Sequence, residues 1–229
     1  MGTSVSEFLR LLTGEHRVMV LGGLAVIAHG LSRATKDADV WLEPMGSVDA
    51  WVGVLEAALA RSSESLEFRC LPGWQTLAGE ALRANVRETG IVRVLGLQMP
   101  LDVFRRPNQL LESDFDEIWS AAAAHDDGTR LPDPIHLLAT KEETGRKHDF
   151  DDHFYLLLKA RAQASALLMA ADVAEAADVL ARFFDYEVGR QGLAHPDAGV
   201  RGIVLKELER LAAAGDTLAA EVLKEYPQG

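Results

Sequence analysis

Cysteine is nearly absent: Cys70 is the only one in 229 residues. A single thiol closes no internal disulfide and has no partner for a cysteine metal site, so neither kind of staple is open to this chain. Long apolar runs are missing as well. No stretch reaches the roughly 20 residues that a bilayer-crossing helix needs. The N-terminus also lacks a basic region followed by an apolar one, so no export signal is expected. A cytoplasmic protein without a membrane partner is the expectation. Positive charge is the third shortage. Lys and Arg number 23 against 35 Asp and Glu, a formal net charge of −12. The deficit is uneven: residues 1–110 hold 11 basic and 12 acidic side chains, and residues 111–229 hold 12 and 23. Gripping a phosphate backbone over a wide surface takes clustered Lys and Arg. Extended duplex DNA is therefore not an expected partner, whereas a small nucleotide or a locally held RNA end is compatible with the count.

What is present is a chain that is 48% hydrophobic and 25% charged, the balance of a globular protein with a real core. Ser4-Val5-Ser6-Glu7 has capping-box spacing ahead of Phe8, Leu9, Leu11 and Leu12, which predicts a first helix. Val18 to Leu21 is an apolar, β-rich run closed by Gly22-Gly23 and reads as a buried strand. A short apolar helix follows over Leu24–His29, then a strand from Asp37 through Leu42. Ser47 is placed to cap an amphipathic helix through about Arg61. A short strand at Glu67–Cys70 and a helix over Leu77–Glu88 come next. Ile91–Leu95 and Leu97–Phe104 read as a hairpin or adjacent strands. After a helix near Phe115–Ala123, a polar turn and Pro132, the pattern is helical: Ile135–Thr144, Asp149–Ala162, Ala164–Tyr186, and a pair over Ala198–Tyr226 broken near Gly215. The expected organisation is a mixed α/β domain over residues 1–132 and an α-helical domain over 133–229.

Three features carry chemistry. Asp37 and Asp39 are two apart on a strand, so both point to one face, where two carboxylates repel unless a cation lies between them. Alone, such a pair is as readily a strand end beside Arg33 and Lys36. Gly22-Gly23 follows a strand and opens a helix, where free amides can hold phosphate oxygens; alone it is an ordinary tight turn. It is neither a Walker motif nor G-x-G-x-x-G. Asp102 is the one acid in an apolar strand. It is either an exposed strand-end acid or a third carboxylate for the same cations. Magnesium prefers oxygen ligands, and two such ions acting on a triphosphate use about three carboxylates.

Gly22-Gly23, then Asp37-Ala38-Asp39, then Leu101-Asp102-Val103 resemble the nucleotidyltransferase (polymerase β-like) superfamily, in particular its minimal bacterial branch that includes AbiEii-type toxins. Lys141 followed by Gly145-Arg146-Lys147-His148-Asp149-Phe150-Asp151-Asp152 is similar to the K-x4-R-x2-D-x2-D segment of that branch. The resemblance covers roughly residues 16–158. It implies an α+β fold, with a small mixed sheet flanked by helices and an α-helical C-terminal domain. It implies Asp37, Asp39 and Asp102 as catalytic and metal-binding residues for two Mg²⁺ ions. Gly22, Gly23, Thr35, Lys141 and Arg146 are then the contacts to an NTP, with Lys147 adding charge. Asp149 and Asp152 cap and orient their helix or hold Lys141. The activity implied is transfer of a nucleoside monophosphate to a hydroxyl of an RNA end, a protein or a small molecule. A cognate antitoxin or other partner protein belongs to the same expectation. The acidic second half tilts the acceptor towards a cationic small molecule or a protein. The rival is an inactive copy of the fold that serves as a binding protein or antitoxin-like regulator. A histidine metal site is disfavoured, because His148 and His153 are five apart and share no helix face. Nothing beyond about Ala162 resembles a known pattern.

Overall fold

The computed structural model describes residues 4–63, 65–71, 73–125, 127–141 and 147–226, with side chains in the last stretch from Phe150 onward. The chain divides into two compact units, Met1–His153 and Phe154–Gly229. No helix among the described residues is long and apolar enough to cross a membrane.

The first unit is a mixed α+β layer structure. Its helices are α1 (Val5–Thr13), α2 (Gly22–Ala28), α3 (Val48–Arg61), α4 (Gly79–Thr89), α5 (Phe115–Ala121) and α6 (Pro134–Ala139). Its strands are β1 (Val18–Leu21), β2 (Ala38–Leu42), β3 (Glu67–Arg69), β4 (Thr76–Leu77), β5 (Ile91–Leu95), β6 (Leu101–Phe104), β7 (Ala123–Ala124) and β8 (Arg130–Leu131). They form one sheet in the order β4-β3-β5-β6-β2-β1-β8-β7. β2–β6 and β1–β8 are parallel and the other pairings antiparallel. The two-residue strands β4, β7 and β8 carry no alternation that a sequence pattern could register.

Local chemistry starts these elements as expected. Ser4 and Glu7 form the full capping box of α1, and the Ser47 side chain accepts from the Ala50 amide to open α3. One face of the sheet carries the core. Val18, Ala38, Val40, Leu42, Val92, Val94, Leu101 and Val103 pack with Phe8 and Leu12 of α1, Trp51 and Leu55 of α3, and Leu82 and Val86 of α4. Each side chain of Leu or Val size stabilises the fold by about 2 kcal/mol on burial. Because strand side chains alternate, fixing these residues in the core sends Asp39, Arg93 and Asp102 to the opposite face.

Helix α7 (Lys147–Ala170) runs from the first unit into the second. The second unit continues with α8 (Val173–Arg182), α9 (Tyr186–Leu193), α10 (Ala198–Ala213) and α11 (Thr217–Glu225). Its core includes Leu168, Leu180, Val188, Val200, Val204, Leu208 and Val222. Each of α8 to α11 is opened by an aspartate, Asp172, Asp185, Asp197 and Asp216, whose carboxylate accepts from backbone amides of the first turn. The single helix expected over Ala164–Tyr186 is thus broken. Asp172 makes a capping box with Glu175, and Asp185 starts the next helix. The break near Gly215 is present, with that residue at φ +95°.

Candidate active site

Strand register assembles the site. Arg93 on β5 lies opposite Asp102 on β6, Asp102 opposite Asp39 on β2, and Asp39 opposite Leu21 on β1, so one row crosses four strands. Leu21 is followed at once by Gly22, the first residue of α2. Asp37 precedes β2 by one residue and shares the face of Asp39. The sheet therefore brings Asp37, Asp39, Asp102 and the Gly22-Gly23 turn to one place, although Asp39 and Asp102 are far apart in the chain.

The glycines are required by their surroundings. Gly22 has φ +56°, and a Cβ there would fall 1.8 Å from Asp39 Oδ2. The Asp39 carboxylate therefore lies directly against the backbone that opens α2. At Gly23 a Cβ would meet Thr35 Oγ1 at 2.7 Å and Arg33 Nη2 at 2.8 Å. Thr35 donates its hydroxyl to the Asp37 carbonyl at 3.0 Å, which ties the turn before β2.

A cationic arm lies beside this turn. Asp152 is completely buried, and its Oδ2 binds Arg33 Nη2 at 2.6 Å and Lys141 Nζ at 2.9 Å. One carboxylate thus holds two positive side chains. Its Oδ1 and the Arg33 Nε are buried without a hydrogen-bond partner among the described residues. The Lys141–Asp152 contact realises one of the two roles expected for Asp152. Arg146 and the Lys147 and Asp149 side chains lie outside the described residues.

The electrostatics centre on Asp39. Burial first, then the charges of Asp102 and Asp37, push its carboxyl up to about 7; Lys141 and Arg93 act against that rise. The neighbouring acids are held by Arg93. Its guanidinium forks onto Asp102, with Nε–Oδ1 and Nη2–Oδ2 both at 2.6 Å, and Nη2 reaches Asp37 Oδ2 at 3.3 Å. The same guanidinium lies over the ring of Trp74, 4.8 Å from its centroid. Trp74 is half exposed and sits at φ +60°, a left-handed backbone that a bulky residue seldom adopts.

The donor set fits a hard divalent cation in kind: three carboxylates on one sheet face and no soft ligand, with the Asp39 carboxyl raised by burial first and by the other two acids next. In arrangement it is closed. As the side chains stand, no group of three or more His, Cys, Asp or Glu among the described residues is placed to hold a metal ion. Arg93 spans Asp102 and Asp37 instead. Arg93, Arg33 and Trp74 are the participants that sequence reasoning missed. The signal for Arg93 was there: it is the single charge in Ile91–Leu95, as Asp102 is in Leu101–Phe104, and a hairpin sets the two opposite each other. Comparison with protein-family models and with curated proteins finds no match for this chain.

Proposed function

We propose that the protein is a Mg²⁺-dependent nucleotidyltransferase, moving a nucleoside monophosphate from an NTP to a hydroxyl acceptor and releasing pyrophosphate. The observation that carries this reading is the register row. It sets Asp39 beside Asp102 with Asp37 two residues away, and it ends on Leu21, next to Gly22, against which Asp39 packs. Phosphoryl-type transfer is mostly positioning and charge neutralisation, so it needs carboxylates, amides and cations more than a special nucleophile.

In this reading Asp37, Asp39 and Asp102 hold the metal ions. When bound, these neutralise the triphosphate and lower the pKa of the attacking hydroxyl. The amides of Gly22 and Gly23 face the phosphates, and Thr35 lines the same turn and would serve them by turning its hydroxyl from the Asp37 carbonyl. Lys141 and Arg33 supply positive charge, and the Arg33 Nε is a buried donor that an anion would satisfy. The acceptor oxygen attacks the α-phosphorus, the α–β bridging bond breaks, and pyrophosphate leaves. Asp102 receives the hydroxyl proton, and Arg93 must slacken its fork on that carboxylate for it to do so. The acceptor is a hydroxyl of an RNA end, a protein or a small molecule, and a partner protein of a toxin–antitoxin pair belongs to the same reading.

A second reading draws on Arg93. A guanidinium paired with two acids of the triad is what an inactive, regulatory copy of the fold would keep. One experiment separates the two. The protein is incubated with each α-labelled NTP, Mg²⁺, and tRNA, cell lysate or an aminoglycoside panel. The enzyme reading expects label in one acceptor, lost in Asp37→Ala and Asp39→Ala. No transfer anywhere, together with Mg·NTP binding that ignores those substitutions, would falsify it.

A further inference from the structure

We propose that Arg93 is the resident counter-cation of the carboxylate triad, displaced when a divalent ion binds, with the Trp74 ring as the surface that keeps the released guanidinium. The inference rests on the metal-dependent reading above and adds a gate to it. Arg93 is a positioning residue here, since it acts through Asp102.

Three observations support the exchange. First, the fork takes both oxygens of Asp102, and its outer nitrogen also reaches Asp37, so the guanidinium lies among the donors a divalent ion needs. Arg93 and such an ion repel, and they compete for the same lone pairs. Second, the arginine is not locked in place by packing alone. It is anchored on one side by charge and on the other by an aromatic face, whose cation–π attraction does not involve the carboxylates. Third, the aromatic face is held there at a cost. Trp74 has a left-handed backbone and leaves half its surface exposed. The turn is fixed around it: the Trp74 amide donates to the Cys70 carbonyl at 3.2 Å, and its carbonyl accepts from Arg69 Nη1 at 2.6 Å. Strain of this kind is kept where the surrounding structure over-determines it, typically at working sites.

Apparent metal affinity should then be set partly by release of the arginine. The test is calorimetric titration of Mn²⁺ at pH 8 without nucleotide, on wild type, Arg93→Met, Arg93→Lys, and Arg87→Met as a remote charge control. Charge-assisted hydrogen bonds of this kind correspond to roughly ten- to hundredfold in an equilibrium constant, so Arg93→Met should bind Mn²⁺ tighter by about that factor. Arg93→Lys, which keeps the charge and loses the fork, should fall between, and Arg87→Met should match wild type. Binding should vanish in Asp37→Asn with Asp39→Asn.

Triad-dependent binding that is equal or weaker in Arg93→Met overturns the displacement and leaves the metal reading standing. Triad-dependent binding in no variant overturns both. Should Arg93→Met fail to fold, Mg²⁺ titration of wild type decides by fluorescence. The part of the emission lost in Trp74→Phe should change at saturation, and its constancy overturns the proposal.

Discussion

Gly22→Ala is the substitution with the sharpest structural forecast. Two costs combine. The residue sits at φ +56°, and an L side chain in left-handed conformation costs about 1–2 kcal/mol. The new methyl would also fall 1.8 Å from Asp39 Oδ2, 2.5 Å from its Cγ and 2.8 Å from its Cβ, so the whole carboxylate must move. Overpacking of this kind costs about 1–3 kcal/mol more. A loss of roughly 2–5 kcal/mol shifts the melting temperature of a domain of this size by roughly 5–15 °C. Thermal unfolding followed by circular dichroism measures it. The two costs separate in a double-mutant cycle with Asp39→Ala. Without the carboxylate the backbone strain remains, together with the 2.8 Å approach to the Cβ that Asp39→Ala keeps, so Gly22→Ala should still cost at least about 1–2 kcal/mol in that background and the coupling should be at most about 1–3 kcal/mol. An equal loss in both backgrounds would refute the close packing of Gly22 on Asp39, and with it the claim that the turn and the acids form one site.

Other outcomes follow from the same geometry. Asp152→Ala leaves Arg33 and Lys141 without their buried partner and should cost about 3–5 kcal/mol in urea unfolding, with weakened Mg·NTP binding in the fraction that folds. Asp39 has its carboxyl raised from 3.8 to about 7, so ionising it opposes folding. Its favourable share is intact below about pH 4 and is lost as pH rises towards 7, an effect of at most about 4 kcal/mol. Asp39→Asn should accordingly gain on wild type between pH 5 and pH 8 in denaturant titrations; parallel curves would count against the raised value. Gly53 is the opposite of Gly22. It is exposed in the interior of α3 with open space around it, so Gly53→Ala should raise stability by about 0.5–1 kcal/mol in the same melts.

The sheet core was legible wherever alternation or capping was strong. α1, β1, α3 and the β5–β6 hairpin could be read directly, because Ser4, Ser47 and the apolar runs encode their own boundaries. β4, β7 and β8 could not, since two residues hold no period and their pairing is decided by tertiary contact. The division of the first unit after His153 also eludes composition. Helical periodicity begins at Pro134, yet Lys141 and Asp152 remain tied to Arg33 in the same unit. At the site, the acids and glycines could be singled out as residue types, but their convergence depends on register. Asp39 meets Asp102 only because β2 and β6 pair in parallel with that offset. The bland reading of Arg33, a surface partner for Asp37 and Asp39, missed a buried carboxylate more than a hundred residues away.

The charge imbalance needs re-weighing in the same light. Residues 111–229 hold 23 acids against 12 bases, which from the sequence tilts the acceptor away from RNA. Asp172, Asp185, Asp197 and Asp216 are N-caps, however, each receiving backbone amides at the positive end of a helix. There the helix partial charge, near half an elementary charge, offsets part of the field of the carboxylate. Asp185 is further paired with Arg161, Glu207 with Arg210, and Glu225 with Arg190. Six acids of the second half therefore project less negative potential than their number implies. The count also says nothing of where an RNA end would lie, since one held locally needs a few cations at the phosphates and no basic surface. Lys141 and Arg33, on one buried aspartate, are such cations. The tilt towards a cationic acceptor thus loses much of its force, and the RNA arm of the label-transfer experiment carries as much weight as the aminoglycoside arm.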